Sequence, residues 1–267
     1  MIRELYEIKK KYSDRPIHIG AESFNANQKW FFEFLDKYSK EIKLPFICLV
    51  VANRLTEEQV IALKNANCEY VSFSPETGNE SLRKNILNKN LTNDAIYKSG
   101  ELLHKHGVKF MTGSMLGLPG ETLKQAFETL DMNIKLRPLV ARASIFTPFP
   151  KLPIEKYALA RGYIEKSDPD SIPNTVQRES LLKQKDIGKI VNLQRFFAIT
   201  VKFPFLRPIV KKLVYLPNNI VFDMVFLSTN AILYFKNSFN LNFYQLVIFS
   251  LKNVKFYFVK DKNSRIK

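Results

Sequence analysis

A chain of 267 residues, 46% of them hydrophobic, has the material for one large domain or two small ones and excludes a disordered chain. Lysine and arginine total 41 against 25 acidic residues, a net charge of +16, which suits RNA or an anionic membrane surface and equally fits a composition rich in Asn, Ile and Lys. Cys48 and Cys68, the two cysteines, lie in separate apolar runs; this excludes a disulfide framework or paired-cysteine metal signature and reads as buried thiols in a reducing cytoplasm.

The opening MIRELYEIKKKYSDRP is charged throughout, which is not a signal peptide, and Ile2, Leu5, Tyr6 and Ile8 recur at helical spacing. Pro16 to Glu22 reads as a short strand, and Trp30, Phe31, Phe34, Leu35 and Tyr38 mark the face of the next helix. Pro45 to Ala52 is a continuous apolar run, the texture of a parallel strand buried on both faces. Thr56 with Gln59 forms a capping-box pattern ahead of a helix carrying Val60, Leu63 and Ala66. Glu69 to Ser74 is a strand, and its loop, Pro75 to Gly78, leads through Asn79 into SLRKNIL. Thr92 and Asn93 can cap the helix DAIYKSGELLHKH, which stops at Gly107, where a left-handed residue commonly ends a helix.

The stretch Val108 to Thr122, VKFMTGSMLGLPGET, is an apolar run broken by Gly117, Pro119 and Gly120. It predicts a strand, a tight turn and a helix whose core face is Phe127, Leu130, Ile134 and Leu136. Glu121 has two readings there: ligand contact, or a carboxylate favoured by the free N–H groups of a first helical turn. Ala141 to Thr147 is a last strand, closed by Pro148 and Pro150. Strands thus alternate with helices, which predicts an α/β fold with a parallel sheet, open or curved toward a barrel, and functional loops at the strands' carboxyl ends.

Residues 163–189 read as a polar linker or crossing loop, and 190–267 as a basic, aromatic-rich helical tail broken at Pro204, Pro208 and Pro217. Within 203–267 stand ten basic and two acidic residues and fourteen of the chain's thirty-four aromatics, so half the excess charge lies in the last quarter. The uncharged run Asn237 to Leu251 is fifteen residues, short of the roughly 20 that span a bilayer. A basic amphipathic helix lying on a membrane surface fits this texture.

Three motifs, FSPETGNE and FTPFP at strand ends and MLGLPGET between them, occur in an order and spacing that resemble radical S-adenosylmethionine proteins carrying an N-terminal cobalamin-binding domain. The resemblance runs from residue 1 to about 235, where VKFPFLRPIVKKLVYLP looks like that family's helical tail. It implies a partial TIM-like (β/α) barrel over 1–162 and a CxxxCxxC loop whose three thiolates hold a [4Fe–4S] cluster that cleaves S-adenosylmethionine. That loop, the first strand and the cobalamin domain have no counterpart in this sequence, whose start resembles the helix after the first strand. The family's paired aspartates correspond to Ala21 and Glu22, followed by a matching Phe24; an arginine before asparagine corresponds to Ala52 before Asn53; and a glycine corresponds to Ser74, while Glu76 and Gly78 remain.

The resemblance implies that Glu76 accepts hydrogen bonds from ribose, with Gly78 beside it, and that Gly117 to Gly120 approach the adenine or methionine part. Glu22 would meet substrate or the methionine amino group, and Asn53 and Arg83 are weaker candidates. His18, His104 and His106 read as packed or solvated side chains. Two functions stay open: the C-terminal part or subunit of a radical enzyme, completed by a cluster-bearing polypeptide or N-terminal half for methyl transfer or rearrangement, or a non-catalytic cytoplasmic module whose basic tail binds an anionic membrane surface or RNA. Acid–base chemistry at Glu22 and Glu76 in an ordinary TIM-like enzyme is a weaker third, since neither has a paired base or metal site.

Overall fold

The computed structural model describes residues 1–12, 16–165 and 180–235, together with 244, 245 and 248. The expected linker and the Asn237 to Leu251 run therefore lie largely outside the described residues. Helix α1 (Ile2–Lys11) precedes β1 (Ile17–Ile19), α2 (Gln28–Glu41), β2 (Phe46–Leu49), a 3-10 turn at Ala52–Arg54 and α3 (Glu57–Asn65). Next come β3 (Cys68–Glu76), α4 (Glu80–Asn85), α5 (Asn93–Lys105), β4 (Lys109–Leu116), α6 (Leu123–Leu136), β5 (Val140–Ile145) and α7 (Pro153–Ala160). The described C-terminal part holds α8 (Ile187–Lys202), a 3-10 turn at Pro204–Leu206, α9 (Arg207–Leu213) and α10 (Ile220–Asn230).

The five strands form one open parallel sheet in the order β1-β2-β3-β4-β5, each beside its successor in sequence. Parallel neighbours need a long crossover, and the intervening helices provide it. Ile17 pairs with Phe46 and Ile47 with Tyr70, with one irregularity between Phe46 and Ile47. All five strands fall on the apolar runs that predict them.

The chain divides into two compact units. The first comprises Met1–Pro75, Asn90–Gly113 and Leu136–Leu139; the second comprises Glu76–Lys89, Ser114–Lys135 and Val140–Lys267. In the first, the ring of Phe24 meets those of Phe31 at 5.2 Å and Phe34 at 5.6 Å, and Tyr38 meets Phe46 at 4.8 Å, with Phe31, Phe34 and Tyr38 all drawn from the predicted face of α2. Tyr38 donates its hydroxyl to the Leu44 carbonyl at 2.9 Å, and burial raises its pKa. Trp30 stacks on Phe34 but remains 38% exposed.

Helix α1 departs from its periodicity: Leu5 is buried, whereas Tyr6 and Ile8 are exposed. Its hold on the first unit is polar, through Tyr6 Oη on Glu41 Oε2 at 2.9 Å and Lys9 Nζ on the Glu41 carbonyl at 3.0 Å. The Thr56–Gln59 capping box is present, and Gly107 ends α5 at φ +68°. Gln59 also accepts a bond from Asn25 Nδ2 at 3.2 Å. Asn25 further donates to the Val51 carbonyl at 3.2 Å and accepts from the Val51 N–H at 2.8 Å, so one buried side chain joins the loops after β1 and β2.

In the second unit α8 is central. Ile190, Leu193 and Phe197 pack with Leu116, Leu130 and Ile145 in one buried cluster. Buried Arg195 donates to Asp223 at 3.1 Å, joining α8 to α10, and Arg207 grips Asp131 of α6 with two bonds of 2.5 and 2.7 Å. The predicted breaks hold: Pro204 opens a 3-10 turn, Pro208 lies in the first turn of α9, and Pro217 falls between α9 and α10.

Asn25→Ala strands the Val51 N–H and takes one of two donors each from the Val51 carbonyl, which keeps the Arg54 N–H, and from the Gln59 amide oxygen, which keeps the Thr56 N–H. It is expected to cost about 2–3 kcal/mol of stability, read from the urea unfolding midpoint; an unchanged midpoint would show that this junction contributes nothing.

Candidate functional site at the strand ends

In the first unit, the strand-end candidates are Glu22, in the turn after β1, and Asn53, in the 3-10 turn after β2. Both are exposed, and among the described residues neither side chain has a hydrogen-bond partner. Phe24, by contrast, is buried at the heart of the aromatic cluster. His18 faces out from β1, His104 bonds the Leu136 carbonyl at 2.9 Å, and His106 bonds Glu57 at 2.8 Å, so the three histidines have the packed or solvated settings expected of them.

The second unit holds Glu76, Gly78, Gly117 and Gly120. Glu76 ends β3 with φ +66°, a conformation few residues other than glycine adopt, and its carboxylate is bonded by Lys89. Thr77 is fully buried with its hydroxyl 3.1 Å from that of Thr129 on α6, and Thr129 also accepts the Gly78 N–H at 2.9 Å. Arg83, on α4, is fully buried and donates its guanidinium to the Thr77 carbonyl. Arg83, a weaker ligand candidate in sequence, here holds the loop that follows β3.

Gly78 answers to packing. A Cβ built there would lie 2.3 Å from the Glu128 carbonyl oxygen, backbone that cannot swing aside. Asn79 then caps α4 by accepting the Leu82 N–H at 2.9 Å, while its amide donates to Glu128 at 2.7 Å. Thr77, Gly78 and Asn79 of the FSPETGNE loop are thus held against Glu128 and Thr129 of α6.

The turn after β4 is built around Glu121. Its Oε2 accepts the N–H groups of Gly117 and Leu118, so the carboxylate serves the loop before it rather than the first turn of α6. That first turn is capped by Thr122, which accepts the Gln125 N–H at 3.3 Å, and by Asp186, which accepts the Leu123 N–H at 3.3 Å. Gly117 and Gly120 have φ of +77° and +80°. A Cβ on Gly117 would meet Ile187 at 2.9 Å, and one on Gly120 would meet the Tyr163 hydroxyl at 3.0 Å. Gln184 completes the clasp, accepting from Gly120 N–H at 2.8 Å and donating to the Leu118 carbonyl at 3.0 Å.

Glu121 is buried and, among the described residues, its Oε1 has no partner. Burial outweighs the two N–H donors and pushes its pKa up to about 8. Thr147, in the FTPFP segment after β5, is also buried, and among the described residues its hydroxyl has no partner. Unpaired buried polar atoms are uncommon, and two of them follow adjacent strands of the sheet.

A cavity of about 560 Å³ lies elsewhere, lined by Ile187, Lys189 and Asn192 of α8 and by Tyr215 and Leu216 after α9. Asn192 donates to the Val214 and Leu216 carbonyls at 3.2 and 2.8 Å, which fixes the orientation of its amide and leaves Oδ1 unpaired.

Open parallel α/β sheets place ligands in the loops beyond their carboxyl ends, and the loops after β3, β4 and β5 lie there. Residues 1–132 match the model of the radical SAM superfamily. An uncharacterized methyltransferase of Pyrococcus horikoshii is 22% identical over 165 residues, covering 61% of this chain and 36% of that protein. The radical S-adenosylmethionine methyltransferase TsrM from Kitasatospora setae, solved with cobalamin and a [4Fe–4S] cluster, is similar in fold: TM-score 0.54 at 16% identity, over 63% of this chain and 34% of that one. Its complex with tryptophan substrate and an S-adenosylmethionine analogue gives the same TM-score over 62% of this chain. The chain thus spans about a third of the length of these relatives.

The donor set of this chain does not fit a [4Fe–4S] cluster. Three thiolates are needed, and the sequence has two cysteines, in β2 and β3 rather than in a strand-end loop. The Cys68 thiol is pushed well up in pKa by its hydrogen bond with Cys48 and by burial, opposite to what a thiolate ligand requires. Among the described residues no group of three or more His, Cys, Asp and Glu is placed to hold a metal.

Gly78→Ala is expected to destabilise the fold by about 2–3 kcal/mol through the clash with Glu128, and a thermal melt indistinguishable from wild type would contradict the close approach. The proton on Glu121 gives a second test. Its folded pKa lies above the ordinary 4.5, so the folded chain holds an extra proton up to about pH 8. Unfolding free energy therefore falls as pH rises from 4.5 to 8, at up to about 1.4 kcal/mol per unit, and levels off above. Glu121→Gln keeps an acceptor for Gly117 and Leu118 and should remove that slope; parallel urea-unfolding profiles for the two proteins would refute it.

Proposed function

We propose that this chain supplies S-adenosylmethionine-facing strand ends to a radical S-adenosylmethionine enzyme of the methyltransferase type. The cluster thiolates, and cobalamin where the reaction uses it, come from a polypeptide segment or partner chain outside these 267 residues. The observation that carries the reading is the turn after β4, inside the stretch that matches the radical SAM model. There Glu121 fixes the Gly117 and Leu118 amides and keeps Oε1 unpaired, while Thr147 holds an unpaired hydroxyl after the next strand.

Those two atoms suit the donors and acceptors of a nucleoside. Glu76, already held in an unusual backbone conformation, would exchange part of its bond with Lys89 for ribose hydroxyls. Glu22 and Asn53 are exposed on the first unit and have no part in this nucleoside reading. When a cluster and S-adenosylmethionine meet in such enzymes they supply the radical; the residues of this chain bind and orient the nucleoside. Methyl transfer is favoured over rearrangement because the Pyrococcus and Kitasatospora proteins are both described as methyltransferases. Strand β1 stands at the end of the sheet order, which offers an edge for a strand carried by the cluster-bearing part.

Equilibrium dialysis of the chain against labelled S-adenosylmethionine tests this. Saturable binding is expected, weakened about tenfold by Thr147→Val, as for loss of one buried hydrogen bond, with the circular dichroism spectrum unchanged. Absence of saturable binding, or binding indifferent to Thr147→Val and to Glu76→Gln, overturns this reading of the strand ends.

A further inference from the structure

From residue 202 to 224 the second unit presents an unusual surface. Phe203, Phe205, Ile209, Ile220, Val221 and Met224 are all large, apolar and exposed, Phe205 at 71%. On α10 the outward positions Ile220, Val221, Met224 and Ser228 follow one helical face, while Phe222, Phe226 and Thr229 fill the other. A helix apolar on both faces is one that has a use for its outer side. Lys202, Lys211 and Lys212 stand exposed among these residues. Asp223, the acid of the stretch, is turned in on Arg195, so the exposed charge is of one sign.

This surface is fastened from beneath. The two hydrogen bonds from Arg207 to the Asp131 carboxylate, with the guanidinium also 5.4 Å from the Phe127 ring centre, hold the start of α9. Asn192 holds the carbonyls of Val214 and Leu216, and Arg195 holds α10 through Asp223 while lying 5.9 Å from the Phe226 ring. With its inner face so occupied, the segment cannot bury the outer residues by turning over. Phe203 and Phe205 also lie side by side, ring centres 6.1 Å apart, as a pair on the surface.

We propose that residues 202–224 dock on the surface of an anionic bilayer, with Phe203, Phe205, Ile209 and the outer face of α10 in the headgroup and upper acyl region and the three lysines at the phosphates. Apolar burial combined with lysines near an anionic leaflet is the physics of interfacial attachment. No helix among the described residues is long and apolar enough to cross a membrane, so the attachment lies on the surface. A nucleic acid would draw on the lysines and leave the aliphatic residues Ile209, Ile220 and Val221 in water, which is why lipid fits better. The inference stands on this surface alone and does not depend on the handling of S-adenosylmethionine.

Sedimentation of the full chain with phosphatidylcholine vesicles, with and without one part in three of phosphatidylglycerol (roughly; an ordinary anionic content), tests it. Binding to the anionic vesicles is expected, falling about fivefold per lysine in Lys211→Gln and Lys212→Gln, and at least tenfold in a Phe203→Ser, Phe205→Ser double variant. Both variants alter exposed positions, and an unchanged thermal melt verifies their fold. No binding to anionic vesicles, or binding unaffected by the phenylalanine variant, overturns the proposal. So does preferential binding of single-stranded RNA that competes with the vesicles and ignores the phenylalanines.

Discussion

Where a strand of a parallel sheet ends, its backbone leaves the ladder while still covered by protein, and every N–H and carbonyl there needs a new partner. Much of this structure answers to that constraint. Asn25 supplies both partners to Val51 after β2; Thr129 and Arg83 supply them to Gly78 and Thr77 after β3; Glu121 supplies them to Gly117 and Leu118 after β4. The loops are therefore shaped by buried side chains, and a ligand there would find backbone already in place, which lowers the ordering cost of binding.

Glu121 and Thr147 stand apart in this scheme. The other buried strand-end groups bond within the protein, whereas these two each keep an atom unpaired. A buried polar atom without a partner is a cost that a bound molecule can offset, and this asymmetry is what makes the loops after β4 and β5 the candidates for a ligand.

The strands and helix caps were legible in the sequence because their signals are local: apolar runs of strand length, Thr56 with Gln59, Gly107 after α5. The clasp residues were not, because their roles depend on neighbours distant in sequence. Thr129 looks like an ordinary helix residue until α6 brings it against Gly78, and Arg83 looks like an ordinary helix arginine or a weak ligand candidate until the loop after β3 closes on it. Glycine was legible as a need for turning, but its partner was hidden: Gly78 yields to the Glu128 carbonyl and Gly117 to Ile187. For Glu121 the charge preference of a helix start was a sound general rule, and the unpaired amides of the preceding turn proved the nearer claim on the carboxylate.

The contact between Gly117 and Ile187 reaches further than local packing. It fits the smallest residue of a strand-end turn to a branched side chain at the beginning of α8, seventy positions on, so the two places share a single allotment of space. The left-handed backbone at 117 already favours glycine, and Ile187 closes the space a side chain would need, so the beginning of α8 seals the turn and shields its backbone from water.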